Sequence, residues 1–101
     1  MTVRLSLEAI AEIVDAAAWY QARRPGLDEE LLAEIDRVLP LVAVSPASFP
    51  QLRDVPKDLV IRRALLPRFP YAIMFMELGT DFRVLAVAHT SRKPGYWLDR
   101  V

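Results

Sequence analysis

The chain has no cysteine, only one histidine and only two lysines in 101 residues. Without cysteine there are no disulfides, no thiolate nucleophile and no zinc site with sulfur ligands, which suits a reducing compartment. A single histidine among scattered carboxylates lacks metal-ligand spacing, so neither a metal nor a cofactor is expected. No apolar run reaches the roughly 18 residues that span a bilayer, so no membrane association is expected. The opening Met1, Thr2, Val3, Arg4, Leu5 lacks the basic stretch and long apolar run of a secretory signal, and a cytoplasmic location is expected. Repeats, low-complexity tracts, a glycine-rich phosphate loop and a G-x-S-x-G elbow are all missing.

What is present fits one globular domain covering residues 1–101, with 53% hydrophobic and 26% charged residues. The formal net charge is zero, but it is unevenly distributed. Residues 1–58 hold ten acids and six bases, and residues 59–101 hold three acids and seven bases, so the two parts stand at −4 and +4. That asymmetry points to an acidic back and a basic working face.

Val3, Arg4 and Leu5 read as a short edge strand before Ser6, a good N-cap with Glu8 placed in the first turn. Ile10, Ile13, Val14, Ala17 and Tyr20 fall at helical spacing and predict a buried stripe on a first helix over residues 6–24, stopped by Pro25 and Gly26. Asp28, Glu29 and Glu30 open a second helix whose stripe runs from Leu31 to Val42 and ends near Ser45, with a kink or early end at Pro40. The short connection makes the pair a helix hairpin. Prolines at 46, 50 and 56 make residues 46–58 a loop, pinned by Phe49 and Leu52. Three strand-like runs follow, Leu59 to Leu66, Tyr71 to Leu78 and Phe82 to His89, with Gly79, Thr80 and Asp81 as a tight turn between the last two. The expected architecture is α+β, an antiparallel helix hairpin packed on an antiparallel meander.

The middle strand is apolar on both faces, with Ile73 and Phe75 on one side and Met74 and Met76 on the other. Two helices cover one face. The other needs the C-terminal segment, a partner chain or the loop 46–58 as its cover. Trp19 and Trp97 are expected to pack, and Tyr71 to keep its hydroxyl at the surface.

The order of these elements, with Trp19-Tyr20, Arg24-Pro25-Gly26-Leu27, Arg62-Arg63, Arg68-Phe69-Pro70-Tyr71, Val87-Ala88-His89 and the closing Arg92, Pro94, Gly95, Tyr96, Trp97 and Arg100, resembles the RelE/ParE superfamily of toxins from type II toxin-antitoxin modules. The resemblance covers essentially the whole chain and is nearest to the ParE-like branch of plasmid stabilisation proteins. It implies a toxin that inhibits growth when free and is neutralised by a cognate antitoxin, alone as a homodimer or bound in a toxin-antitoxin hetero-oligomer. ParE-like members poison DNA gyrase. RelE-like members cut messenger RNA in the ribosome without a metal, and a non-toxic relative would only bind its antitoxin.

RNA cleavage by the 2′-hydroxyl needs a base, cations for the phosphorane and an acid for the leaving oxygen. The candidates are His89 as base or acid, Arg62, Arg63, Arg68 and Arg92 as phosphate ligands, and Tyr96 as a stacking or proton-donating partner. Arg62 and Arg63 point to opposite faces, so at most one can enter a shared site. The neutral total and the two lysines fit poorly with docking into nucleic acid and favour the ParE-like reading. The expected antitoxin seat is the sheet at Tyr71, Ile73, Met74, Phe75 and Met76, together with the helix hairpin.

Overall fold

The computed structural model describes residues 2–101. Ser6 marks where the first strand becomes the first helix. Its hydroxyl caps the helix by accepting from the Ala9 amide at 3.1 Å, and its own amide donates to the Val84 carbonyl at 3.1 Å. The strand is β1, Val3–Leu5, and the helix is α1, Leu7–Arg23. Gly26, at φ +100°, turns the chain into α2, Leu27–Val44, a backbone conformation that a side chain would strain. The α2 helix runs through Pro40 for another turn, so the early end expected there does not occur. Near a helix C-terminus little of the ladder remains for a missing donor to interrupt.

A 3₁₀ turn at Pro46–Ser48 gives the loop after α2 one short regular piece, and three strands follow: β2, Ile61–Leu65; β3, Tyr71–Leu78; β4, Asp81–His89. They form the expected antiparallel meander, with β1 added in parallel against β4 to give the order β1-β4-β3-β2. Met74 pairs with Ala86 but Phe75 pairs with Val84, which leaves Leu85 as an extra residue, a β-bulge. The bulge turns Leu85 and Ala86 toward the same face. A second 3₁₀ turn, Leu98–Arg100, follows the sheet. Among the described residues no helix is long and apolar enough to cross a membrane.

Both sheet faces are covered from within the chain. On one, Ile73, Phe75, Val84 and Val87 pack against Ala9 and Ala16 of α1 and Leu31, Ile35, Val38 and Val42 of α2. On the other, Ile61, Met76, Leu85 and Ala86 pack under Trp97, with Leu52, Val55, Leu59, Tyr96 and Leu98 around them. The C-terminal segment and the loop 46–58 therefore share the second face. Each large side chain buried this way contributes about 1.5–3 kcal/mol, and among the described residues both apolar sheet faces have a cover from the chain itself.

The stripe on α1 differs from the expected one. Ala9 and Ala16 are buried with Ile13 and Tyr20 beside them, while Ile10 and Val14 stay exposed. Alanines let the helix lie close to the sheet, and hydropathy spacing alone does not distinguish that stripe from the neighbouring one.

One charged group sits in the core. Glu34 of α2 is 1% exposed and accepts from the Arg68 amide at 2.8 Å and the Arg68 Nε at 3.0 Å. This fastens the turn between β2 and β3 to the helix. Burial alone would raise the Glu34 carboxyl, but the hydrogen bonds and charge of Arg68 outweigh it and hold it below the usual carboxylate range. A depressed folded value means a stabilisation complete above the range where a free glutamate titrates and lost as pH falls through the folded value. Glu34→Gln is expected to lower unfolding free energy by about 2 kcal/mol at neutral pH in urea titrations. The gap to the unsubstituted chain should close in acid.

Candidate functional site

The sheet ends at His89, and the predicted site residues separate there into two groups. Arg63, His89, Arg92 and Tyr96 line one cleft of about 120 Å³ on the face covered by Trp97, together with Lys93. Arg62 and Arg68 lie elsewhere. Arg62 is on the opposite face, as alternation along β2 requires, where its Nη1 donates to the Phe49 carbonyl at 2.9 Å and its Nε is buried without a partner. Arg68 is committed to Glu34 and, at 3.5 Å, to Glu30.

His89, Arg92 and Tyr96 also wall a second cleft of about 460 Å³, on the helix side, with Trp19, Tyr20 and Tyr71. The aromatic rings meet edge to face: Tyr20 to Tyr71 at 6.1 Å and Tyr71 to His89 at 5.2 Å. Trp19, expected to pack in the core or at the domain edge, is 52% exposed on the rim, with the Arg23 guanidinium 4.2 Å from its ring centre. Arg92 lies 4.0 Å over the Tyr96 ring.

The chemistry of the individual groups is more limited than their grouping suggests. His89 Nδ1 accepts from the Ser91 amide at 3.0 Å and lies 2.7 Å from the Ser91 hydroxyl. A nitrogen that accepts carries no proton, so the neutral ring holds its proton on Nε2 and keeps no free lone pair to act as a base. Tyr96 donates its hydroxyl to Glu12 Oε2. Burial, and then the Glu12 carboxylate, push that phenol up to about 12, which makes it a poor proton donor near neutrality.

Glu12 is a residue that sequence reasoning missed, and Arg100 entered there only as one of the residues carrying the family resemblance. Glu12 Oε1 accepts from the Val87 amide at 3.0 Å and from Arg100 Nη1 at 2.9 Å, and Arg100 Nη1 also donates to the Leu85 carbonyl at 3.0 Å. The hydrogen bond to Glu12, foremost, raises the Arg100 guanidinium further. Helical spacing put Glu12 off the apolar stripe, and nothing local distinguishes a carboxylate that meets a strand edge from one that meets water. Of the sheet residues expected to seat an antitoxin, three are buried and two line the clefts. Ile73 and Phe75 lie in the helix-side core, Met76 is buried and Met74 packed under the Trp97 cover, and Tyr71 is half-buried beside Tyr20.

No protein-family model matches the chain, and no curated protein matches it. In structure it is similar to a chain described as "Chromosomal ParDE TA system from P. aeruginosa", with a TM-score of 0.74, 21% identity, and 88% of this chain and 95% of that chain covered. The two share a fold. The chain thus has the α+β RelE/ParE-type architecture, a helix hairpin on a four-stranded mixed sheet.

The Glu12 network yields a measurable consequence. A phenol whose folded value is raised stabilises the fold below its ordinary range, and that contribution is lost as pH rises through the folded value. In tyrosinate absorbance titrations, Tyr96→Phe should remove the transition near pH 12. Glu12→Ala should cost about 2–4 kcal/mol, because it strands the Val87 amide and a mostly buried Arg100.

Proposed function

We propose that the chain is the toxin of a type II toxin-antitoxin module, ParE-like in action: growth-inhibiting through DNA gyrase when free, and held inactive by a cognate antitoxin. What supports this reading is the likeness to the ParDE structure over 88% of the chain, joined to a cleft that has cations but whose His89 Nδ1 is already hydrogen-bonded. Metal-free RNA cleavage needs a base beside the 2′-hydroxyl. His89 has its lone pair engaged, Glu12 is tied to Arg100, and Asp15 lines the other cleft. A gyrase inhibitor needs only a surface that engages protein.

The ribonuclease reading keeps one observation in its favour: Arg63, His89, Arg92 and Tyr96 line one cleft. Cations there would hold a scissile phosphate, but the His89 Nδ1 lone pair is already engaged by Ser91 and the Tyr96 phenol is pushed up to about 12.

The antitoxin seat belongs on the helix hairpin. Leu7, Ile10 and Val14 are 82%, 43% and 60% exposed, and they fall at the three-and-four spacing of one α1 face. Such a row fits the apolar side of an amphipathic segment, the helix-in-groove mode of peptide recognition.

Induction of the chain in a bacterium, with DNA breaks, supercoiling and transcript ends followed together, tests the reading. The expected result is growth arrest with DNA damage and intact transcripts, relieved by the antitoxin. Codon-phased transcript cutting without DNA damage would overturn the gyrase assignment, and unimpaired growth would overturn toxicity altogether. Val14→Asp should leave the fold intact, because the side chain is exposed, and weaken antitoxin binding by about tenfold or more. Unchanged affinity would remove the seat from α1.

A further inference from the structure

At the end of the sheet opposite β2, the strand β1 is paired along one edge only. In a parallel ladder every second residue turns both of its backbone groups toward the neighbouring strand. Thr2 and Ser6 face β4: the Thr2 carbonyl accepts from the Phe82 amide at 2.9 Å, and the Ser6 amide donates to the Val84 carbonyl at 3.1 Å. Val3 and Leu5 therefore turn their amides and carbonyls outward, where these have no hydrogen bond among the described residues.

A groove lies on each side of that open edge. On the helix side, one of about 350 Å³ is lined by Val3 and by Asp36, Leu39, Pro40 and Ala43 of α2. On the other side, one of about 300 Å³ is lined by Arg4, Arg83, Leu78 and Asp81, among others. Arg4 and Arg83 are partners in the register of β1 and β4, and like charges opposed in this way destabilise a sheet. Asp81 answers Arg4 at 4.0 Å from its Nε, and it also accepts from the Thr2 amide at 3.2 Å. Arg83 takes part in no ion pair among the described residues, so this groove keeps an excess of positive charge.

We propose that β1 takes an extended segment of another protein as a fifth strand, one in which apolar and acidic side chains alternate. An added strand would pair the outward amides and carbonyls of Val3 and Leu5, and its successive side chains would fall on opposite faces. Those opposite Val3 and Leu5 lie toward the apolar groove, and the one opposite Arg4 lies toward the arginines. Charge decides the order. Asp36 disfavours an acid in the apolar groove, whereas an acid opposite Arg4 supplies the counter-charge that Arg4 and Arg83 together lack. A second copy of this chain fits worse, because the antiparallel register that pairs all the outward groups sets one copy's Arg4 directly against the other's. The proposal rests on the open edge and its two grooves, and is independent of the toxin reading.

The test is fluorescence anisotropy of the full chain with two short, labelled and end-blocked peptides, one alternating valine with glutamate and the other valine with lysine. The glutamate peptide is expected to bind about tenfold more tightly than the lysine peptide. Arg4→Glu should reverse that preference, a gain that a misfolded variant cannot produce. Val3→Pro removes an outward amide and leaves the ladder to β4 intact, and it should weaken the glutamate peptide about fivefold. Val14→Asp, on the exposed row of α1, should change nothing, and circular dichroism checks that each variant keeps the fold. No saturable binding, equal binding of the two peptides, or an equal loss from Val14→Asp would overturn the proposal. Self-association of the chain that Val3→Pro abolishes would also overturn it, by assigning the edge to a second copy.

Discussion

Beyond Leu5 the chain leaves the sheet to begin α1, and from there the outer edge of β4 has no neighbouring strand among the described residues. Backbone groups in that position must find other partners or destabilise the fold. Ser6 takes the Val84 carbonyl through its amide, and its hydroxyl reaches the Leu85 carbonyl at 3.4 Å. Glu12 takes the Val87 amide, and Arg100 adds a second donor to Leu85. One carboxylate thus ties together a helix, a strand edge and the C-terminal segment, which is held against the sheet as a result.

That tie explains why both faces of the sheet are closed. The segment from Tyr96 to Leu98 lies over Ile61, Met76, Leu85 and Ala86, a surface that the bulge at Leu85 enlarges by turning two consecutive side chains the same way. With the second face closed, the exposed row on α1 and the pair of clefts at His89 are among the surfaces left open. The same network that closes the sheet also shapes the clefts, since Tyr96 is held by Glu12 and carries Arg92 on its ring.

The fold was largely legible in the chain. The N-cap at Ser6, the stop at Pro25 and Gly26, and the three strand runs all fall where local chemistry placed them, because caps, turns and alternation act over a few residues. The orientation of α1 was less legible. Ala9 and Ala16 say little about burial by composition, yet their small size lets the helix approach the sheet, leaving Ile10 and Val14 outside. Of the site candidates, Arg63, His89, Arg92 and Tyr96 line one cleft, while Arg62 and Arg68, named with them, are each engaged elsewhere.

By itself the sequence determined the α+β class, the helix hairpin, the meander and the concentration of positive charge after residue 58, since each follows from local spacing or composition. Only the tertiary structure decided which charges are free. Glu12 meets Arg100 and Glu34 meets Arg68 across 88 and 34 residues of chain, and no local pattern encodes such pairings. Once those are made, Arg63, Arg92 and Lys93 remain as the unpaired cations of one cleft, set against the aromatic rings of the next.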